Sequence, residues 1–285
     1  MDINNKAGLS NFGNTCFMNA AIQLLMSAST MNIYMMNTKD LDISSNRKYI
    51  QTFRDYYNPI TNTLGPKILY TMYMQLNTRY RGGSQEDSHE FLTYTLDDML
   101  NNVRELNNDK YVKGLERFMT VTINQHVHYK KGQDVDSNKI IKENMLSFPM
   151  NDTVTSLNDC YNLFKTDDND DFTLSFEIEA FPKYLFIGLK RFVFDGRRFS
   201  KINTEIDIPT ETNIFHPDHK YKLKSFIVHI GHYLGGHYYA YSLKKVDNKY
   251  KWFCLNDLHV SEVSIEKVNS ELKRAYILLY SHKND

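Results

Sequence analysis

Apolar residues at Phe17, Ala20, Ala21, Leu24 and Leu25 keep the spacing of one helical face and predict a helix starting at Cys16. The polar, glycine-containing run Gly8-Leu9-Ser10-Asn11-Phe12-Gly13-Asn14-Thr15 precedes it, with Asn14 or Thr15 placed to cap the first free amides. Further helices are predicted near 48–57, from 66 to about 76, and from 84 to about 103. Pro66 suits a first helical turn, where its missing N–H costs nothing. Phe91, Leu92, Leu96, Met99 and Leu100 form the apolar stripe of the last of these helices. From Phe118 the pattern changes to β-branched and aromatic residues in partial alternation, predicting strands over 118–129 and 144–150. A short helix follows at 156–164, and the acidic stretch 166–171 reads as a solvated loop. Strands are then predicted at 184–194, 198–202, 220–229, 238–246, 249–255 and 275–281. A helical first part followed by a strand-rich second part gives an α+β class with segregated elements.

A chain of 285 residues can form one large domain or two small ones. Lys+Arg and Asp+Glu both number 34, so no global basic field points to nucleic acid or an anionic membrane. The three cysteines, Cys16, Cys160 and Cys254, are widely spaced and odd in number. They form neither a disulfide framework nor a CxxC metal pair, as expected for a reducing intracellular compartment. No apolar run approaches the roughly 20 residues needed to cross a bilayer. The first residues lack the layout of a signal peptide. The expectation is a soluble protein of the cytoplasm or nucleus.

Chemistry concentrates at two places. Cys16 opens its helix, where unpaired N–H groups and the positive end of the helix dipole favour a thiolate nucleophile. Against this stands the common fate of a lone cysteine as a small buried hydrophobe. Far along the chain, His237 follows Gly235 and Gly236 at the mouth of a strand, and a second strand ends in Asn256-Asp257. A hairpin turning at Asp247-Asn248 puts His237 ten residues before Asp247 and Asn256 nine after it, at the same end. Asn256 could then accept the imidazole Nδ1–H and leave Nε2 facing the thiol, the logic of a Cys-His-Asn triad. Individually, His237 reads equally as a structural histidine and Asn256 as a turn residue.

The run from Gly8 to Gln23 resembles the cysteine box of the ubiquitin-specific proteases, a branch of the papain-like cysteine peptidases. The run Gly235-Gly236-His237-Tyr238 through Asn256-Asp257 is similar to that family's histidine box. The segments Gln85-Glu86-Asp87-Ser88-His89-Glu90-Phe91-Leu92, Pro182-Lys183-Tyr184-Leu185-Phe186-Ile187-Gly188-Leu189-Lys190-Arg191-Phe192 and Ala275-Tyr276-Ile277-Leu278-Leu279-Tyr280 match as well, in family order. The resemblance implies one papain-like catalytic domain over 1–285, with a helical thumb (1–117), a reduced fingers region (118–181) and a β-rich palm (182–285). It implies a thiol-dependent deubiquitinase that cuts the bond after the C-terminal glycine of ubiquitin.

On the same ground, Cys16 is the nucleophile, His237 the general base and then acid, Asn256 its orienting partner and Asp257 a helper. Asn11 matches the residue whose amide stabilises the oxyanion beside the Cys16 N–H, although its bland reading is a turn residue. Asp87 and Glu90 match acidic residues that grip the basic tail of ubiquitin, while Ser84-x-x-Asp87 also reads as a capping box. Gly235, Gly236 and Tyr238 are candidate walls of a narrow cleft for the tail's glycines. The two CxxC pairs that commonly hold zinc in this family's fingers are missing. Cys160, His126 and His128 do not supply four ligands, so no metal and no cofactor is expected. The pairs Lys190-Arg191 and Arg197-Arg198 are read as exposed strand faces. The implied partners are ubiquitin and ubiquitinated proteins, with no nucleic acid or membrane, met by a monomer. A binding module with a dead site and an enzyme for a ubiquitin-like modifier are the other readings. The presence of Asn11, Cys16, His237 and Asn256 together argues against the first of these.

Overall fold

All eleven residues of the first long helix are buried, so it is a core element with no solvent face. The computed structural model describes residues 8–42, 44–57, 63–64, 85–130, 137–194, 196–232 and 235–283. The helix predicted at 66–76 lies outside them. Strand β1 (Gly8–Leu9) leads into α1 (Cys16–Met26), α2 (Ser29–Asn37), α3 (Lys39–Asp42) and α4 (Arg47–Tyr57), and β2 (Thr63–Leu64) pairs with β1 in parallel. Next come α5 (Ser88–Arg104) and α6 (Asp109–Met119). Phe118, expected to start a strand, instead closes α6, because Leu115, Phe118 and Met119 form one buried helical stripe.

Four strands then build a small sheet: β3 (Val121–Tyr129), β4 (Ser137–Glu143), β6 (Thr166–Asp168) and β7 (Phe172–Ala180), in the order β4-β3-β7-β6. Between them lie β5 (Leu146–Pro149), which joins the larger sheet, and α7 (Leu157–Lys165). A complete capping box opens α7, with Ser156 and Asp159 satisfying each other's backbone amides. The predicted loop at 166–171 is in part strand β6, an edge whose backbone pairs with β7 while every side chain is exposed. Strand β7 is absent from the predicted set, although Phe172, Leu174, Phe176 and Ile178 alternate along it.

The remaining elements are β8 (Tyr184–Lys190), β9 (Phe192–Phe194), β10 (Phe199–Lys201), β11 (Glu211–Thr212), β12 (Tyr221–His232), β13 (Gly235–Val246), β14 (Lys249–Asn256), β15 (His259–Val263), α8 (Ile265–Leu272) and β16 (Ala275–His282). The large sheet runs β15-β14-β13-β12-β16-β8-β5, with β11 attached to β12. Its pairings are antiparallel except that of β5 with β8.

Successive residues of this sheet enter opposite cores. Ile227, Ile277 and Leu279 pack under the helices around α1, whereas Phe226, Leu278 and Tyr280 pack with Phe148, Leu157 and Trp252 on the other side. Burial on both faces explains why the strand segments read as nearly continuous apolar runs. The predicted strand 184–194 is broken at Arg191, and that residue corrects the expectation of an exposed basic face. Arg191 is only 2% exposed, and its guanidinium donates to the carbonyls of Ala275, Ile202, Thr204 and Lys273 at 2.7–3.2 Å. Its charge is spread over four backbone acceptors, which offsets the cost of burying it.

Candidate active site

Cys16 is the first residue of α1, and a tight loop holds it there. Gly13 (φ 91°) and Asn14 (φ 55°) take left-handed conformations just before it. Thr15 occupies the N-cap position but makes no side-chain cap, contrary to expectation. Its hydroxyl faces backwards, accepting from the Phe12 N–H at 2.9 Å and donating to Asn11 Oδ1 at 3.1 Å. Asn11 Oδ1 also accepts the N–H groups of Gly13 and Thr15 at 2.9 and 3.2 Å. Asn11 is therefore a turn organiser through its oxygen, while its Nδ2 donates to Asp257 Oδ2 at 2.9 Å.

The β13–β14 hairpin turns at Asp247 and Asn248, both with positive φ, as the type I′ turn of a two-residue hairpin requires. At its other end His237 Nε2 donates to Asn256 Oδ1 at 2.6 Å. The ring therefore meets Cys16 through Nδ1, the reverse of the expected use of the two nitrogens. Its pKa is raised to about 9, first by the hydrogen bond with the Cys16 side chain. The Asn256 bond and the charges of Cys16 and Asp257 act in the same sense, against burial. His229, on neighbouring β12, is pushed the other way, to about 4, by burial and then by Lys201 and His237. One strand apart, two imidazoles are pushed in opposite directions because only one has a partner that favours its cation.

Asp257 ties the two halves together. Its Oδ1 accepts Asn19 Nδ2 at 2.7 Å, its Oδ2 accepts Asn11 Nδ2, and its carbonyl accepts the Leu9 N–H at 2.9 Å. Gly8 permits this approach, since a Cβ there would sit 2.3 Å from the Leu258 carbonyl oxygen. Asn19 is a site-shaping residue that sequence reasoning missed. Its signal was a polar amide in a mostly apolar helix, three residues after Cys16.

The other wall comes from α5. Asp87 is itself the N-cap, with Oδ1 accepting the His89 N–H at 2.6 Å, while Ser84, the other half of the expected capping box, lies outside the described residues. Its Oδ2 accepts the Tyr276 hydroxyl at 2.6 Å. Glu90 is exposed one turn further on. Tyr238 is only 6% exposed, so its ring packs against His229 and Tyr276 beneath the cleft instead of walling it. Gly236 lies where a Cβ would come 2.1 Å from His229 Nε2, and its N–H donates to Gln85 Oε1 at 2.5 Å. Gly235 lies beside the same Gln85 oxygen. Gln85 and Tyr276, like Asn19, were legible only as parts of matching segments and carried no role.

Among the described residues no three His, Cys, Asp or Glu side chains converge to hold a metal ion. His126 Nδ1 bonds Asn138 Oδ1 at 2.7 Å, and Cys160 is fully buried, its thiol pushed up to about 11 by burial. Among the described residues no helix is long and apolar enough to cross a membrane.

A sulfur at a helix start, an imidazole held from behind by an amide, and a carboxylate bracing both loops are thus brought together in one place. The family model described as ubiquitin carboxyl-terminal hydrolase matches residues 7–280, and the chain belongs to that family. It is 27% identical over 96% of its length to Ubiquitin carboxyl-terminal hydrolase Usp2 of Drosophila melanogaster. It is 26% identical, again over 96%, to Ubiquitin carboxyl-terminal hydrolase 2 of Bos taurus. It spans 34% and 54% of the lengths of these two relatives. In fold it is similar to the SAGA Ubp8/Sgf11/Sus1/Sgf73 DUB module bound to ubiquitin aldehyde, with a TM-score of 0.81 at 23% identity, covering 100% of this chain and 71% of that one.

Proposed function

We propose that this chain is a thiol-dependent deubiquitinase that hydrolyses the bond after the C-terminal glycine of ubiquitin, acting as a monomer on conjugates or chains. The observation that carries the reading is His237 held between Cys16 on Nδ1 and Asn256 on Nε2. Cys16 passes its proton to Nδ1, and the sulfur attacks the glycine carbonyl carbon. The oxygen that gains charge is met by the Cys16 N–H and by the second N–H of Asn11, whose first is given to Asp257. Collapse of the adduct breaks the C–N bond as His237 hands its proton to the departing amine. Water then adds to the thioester with His237 as base, and the carboxylate and free thiol are released. Asp257 serves by aiming Asn11.

For the tail, Asp87 is a pre-ordered acceptor. Its two bonds leave further lone pairs for a basic side chain, and exposed Glu90 adds a second negative charge. Gly235 and Gly236 leave room for the final glycines, and the Gln85 bond to Gly236 must part for a tail to run between them. The test is a ubiquitin carrying an electrophile at its C-terminus. The expected result is a one-to-one covalent adduct by intact mass that Cys16→Ala abolishes. Tight binding of ubiquitin by the wild-type chain with no adduct would sink the assignment, and adducts formed only with probes built on other modifiers would change the substrate.

A further inference from the structure

At the far end of α1 from Cys16, about 15 Å away at 1.5 Å per residue, the helices and the large sheet enclose a second cavity. Its volume is about 590 Å³, and it is lined by Lys183, Lys222, Lys224, Lys244, Lys245 and Lys283. None of its described lining residues is acidic. In a chain with 34 basic and 34 acidic residues, this is a local concentration of charge that composition alone conceals.

The lysines are brought together by the sheet. Lys222 and Lys224 come from β12, Lys244 and Lys245 from β13, and Lys183 and Lys283 from the ends next to β8 and β16. Glu211, outside the lining, pairs with Lys283 at 2.6 Å and with Lys222 at 3.6 Å. Lys244 donates to the Tyr56 hydroxyl at 2.8 Å, and burial lowers its pKa to about 7. Lys224 is lowered by burial and then by the charges of Lys222 and Lys183. Lys222 and Lys183 therefore repel the Lys224 ammonium, and an anion among the three would relieve that repulsion.

One helix start and two helix ends line the cavity: α2 begins there, while α1 ends there at Met26 and α4 at Tyr56 and Tyr57, so the lysines set its sign. Ser29 and Thr30, the first residues of α2, line the cavity, and α2 has no side-chain N-cap and no acidic residue in its first turn. Its positive end therefore adds to the lysines. The negative end of α1 is closed off. Leu24 and Leu25 carbonyls accept the N–H groups of Ser27 and Ala28, and the Met26 carbonyl accepts the Tyr57 hydroxyl.

We propose that this cavity binds a small polyphosphorylated ligand. It is concave and within the roughly 300–1,000 Å³ range of small-molecule sites, which suits a compact polyanion better than an extended one. Lysine meets phosphate as a point charge and needs no planar partner. The Tyr250 ring, 59% exposed with Lys222 and Lys224 at 5.9 and 5.3 Å from its centroid, adds a flat apolar face to the lining.

The experiment is calorimetric titration of the full chain with inorganic tripolyphosphate at fixed ionic strength. One saturable site is expected, its Kd rising about tenfold or more in K222Q/K224Q, with Lys224→Arg retaining wild-type affinity. The equally charged control K110Q/K139Q, at exposed lysines elsewhere, should bind as wild type. Absence of saturable binding, equal loss in the control, or loss in Lys224→Arg as deep as in Lys224→Gln would overturn the proposal. So would binding of a short single-stranded oligonucleotide that tripolyphosphate does not displace.

Discussion

The eight-stranded and the four-stranded sheet of this protein treat their strands in opposite ways. In the eight-stranded sheet, β16 has seven of its eight residues buried, and its neighbours feed two separate cores. In the four-stranded sheet, β4 has six of seven residues exposed, and β6 has none buried. His237 and Asn256 both stand on the first sheet, on a hairpin wedged under α1. The proposed triad must be held to a fraction of an ångström, and packing on both faces supplies that stiffness. A sheet with one wet face and a polar edge holds its backbone pairing but leaves its side chains free to vary.

The sharpest break in this comparison is chemical. His237→Ala should lower kcat/KM on a ubiquitin C-terminal substrate by about 10²–10⁴-fold; turnover near wild type would remove the imidazole from the mechanism. Phe226→Ala, in the doubly buried sheet, should destabilise the fold by about 3–5 kcal/mol in urea unfolding. Its side chain is fully buried between Tyr241 and Trp252. Asn256→Ala should cost about tenfold to a hundredfold in kcat/KM, because the ring loses its orienting acceptor but keeps its sulfur partner.

A pH dependence follows from the raised value of His237. The imidazole gains its cation's partner on folding, so the associated stability is fully present below about 6.5 and lost as pH rises through about 9. Activity that uses the same proton should fall over the upper part of that window. In Cys16→Ala the leading cause is gone, and an NMR titration should find His237 closer to its ordinary value; an unchanged titration would contradict the sulfur contact. The smallest effect belongs to the other sheet. Ile140→Ala, at a side chain 52% exposed on β4, should change stability by less than about 0.5 kcal/mol.

Much of the fold was written in periodicity. The apolar stripe after Cys16, the runs that became β12, β13, β14 and β16, and the Asp247-Asn248 turn were all readable, since buried faces and positive-φ turns leave strong local marks. The failures share one cause. Strand β6 has no apolar face and exists by backbone pairing alone, and Phe118 sits where a helical stripe and a strand pattern overlap. Arg191 reads as a surface residue until four carbonyls close around it. In the site, the order of motifs pointed to Cys16, His237 and Asn256, but not to Asn19, Gln85 or Tyr276, whose partners lie between 151 and 238 positions away.

The amino-acid order by itself determined which side chains could do chemistry and most of the segments that became helix or strand, because those depend on residue type and on spacing over a few neighbours. Tertiary structure alone decided which imidazole nitrogen faces the sulfur, that Asp257 braces both Asn11 and Asn19, and that six scattered lysines share one cavity. Each of these is a distance between strands or loops far apart in the chain. Such distances are set by how layers pack and how strands register, and no local pattern encodes them.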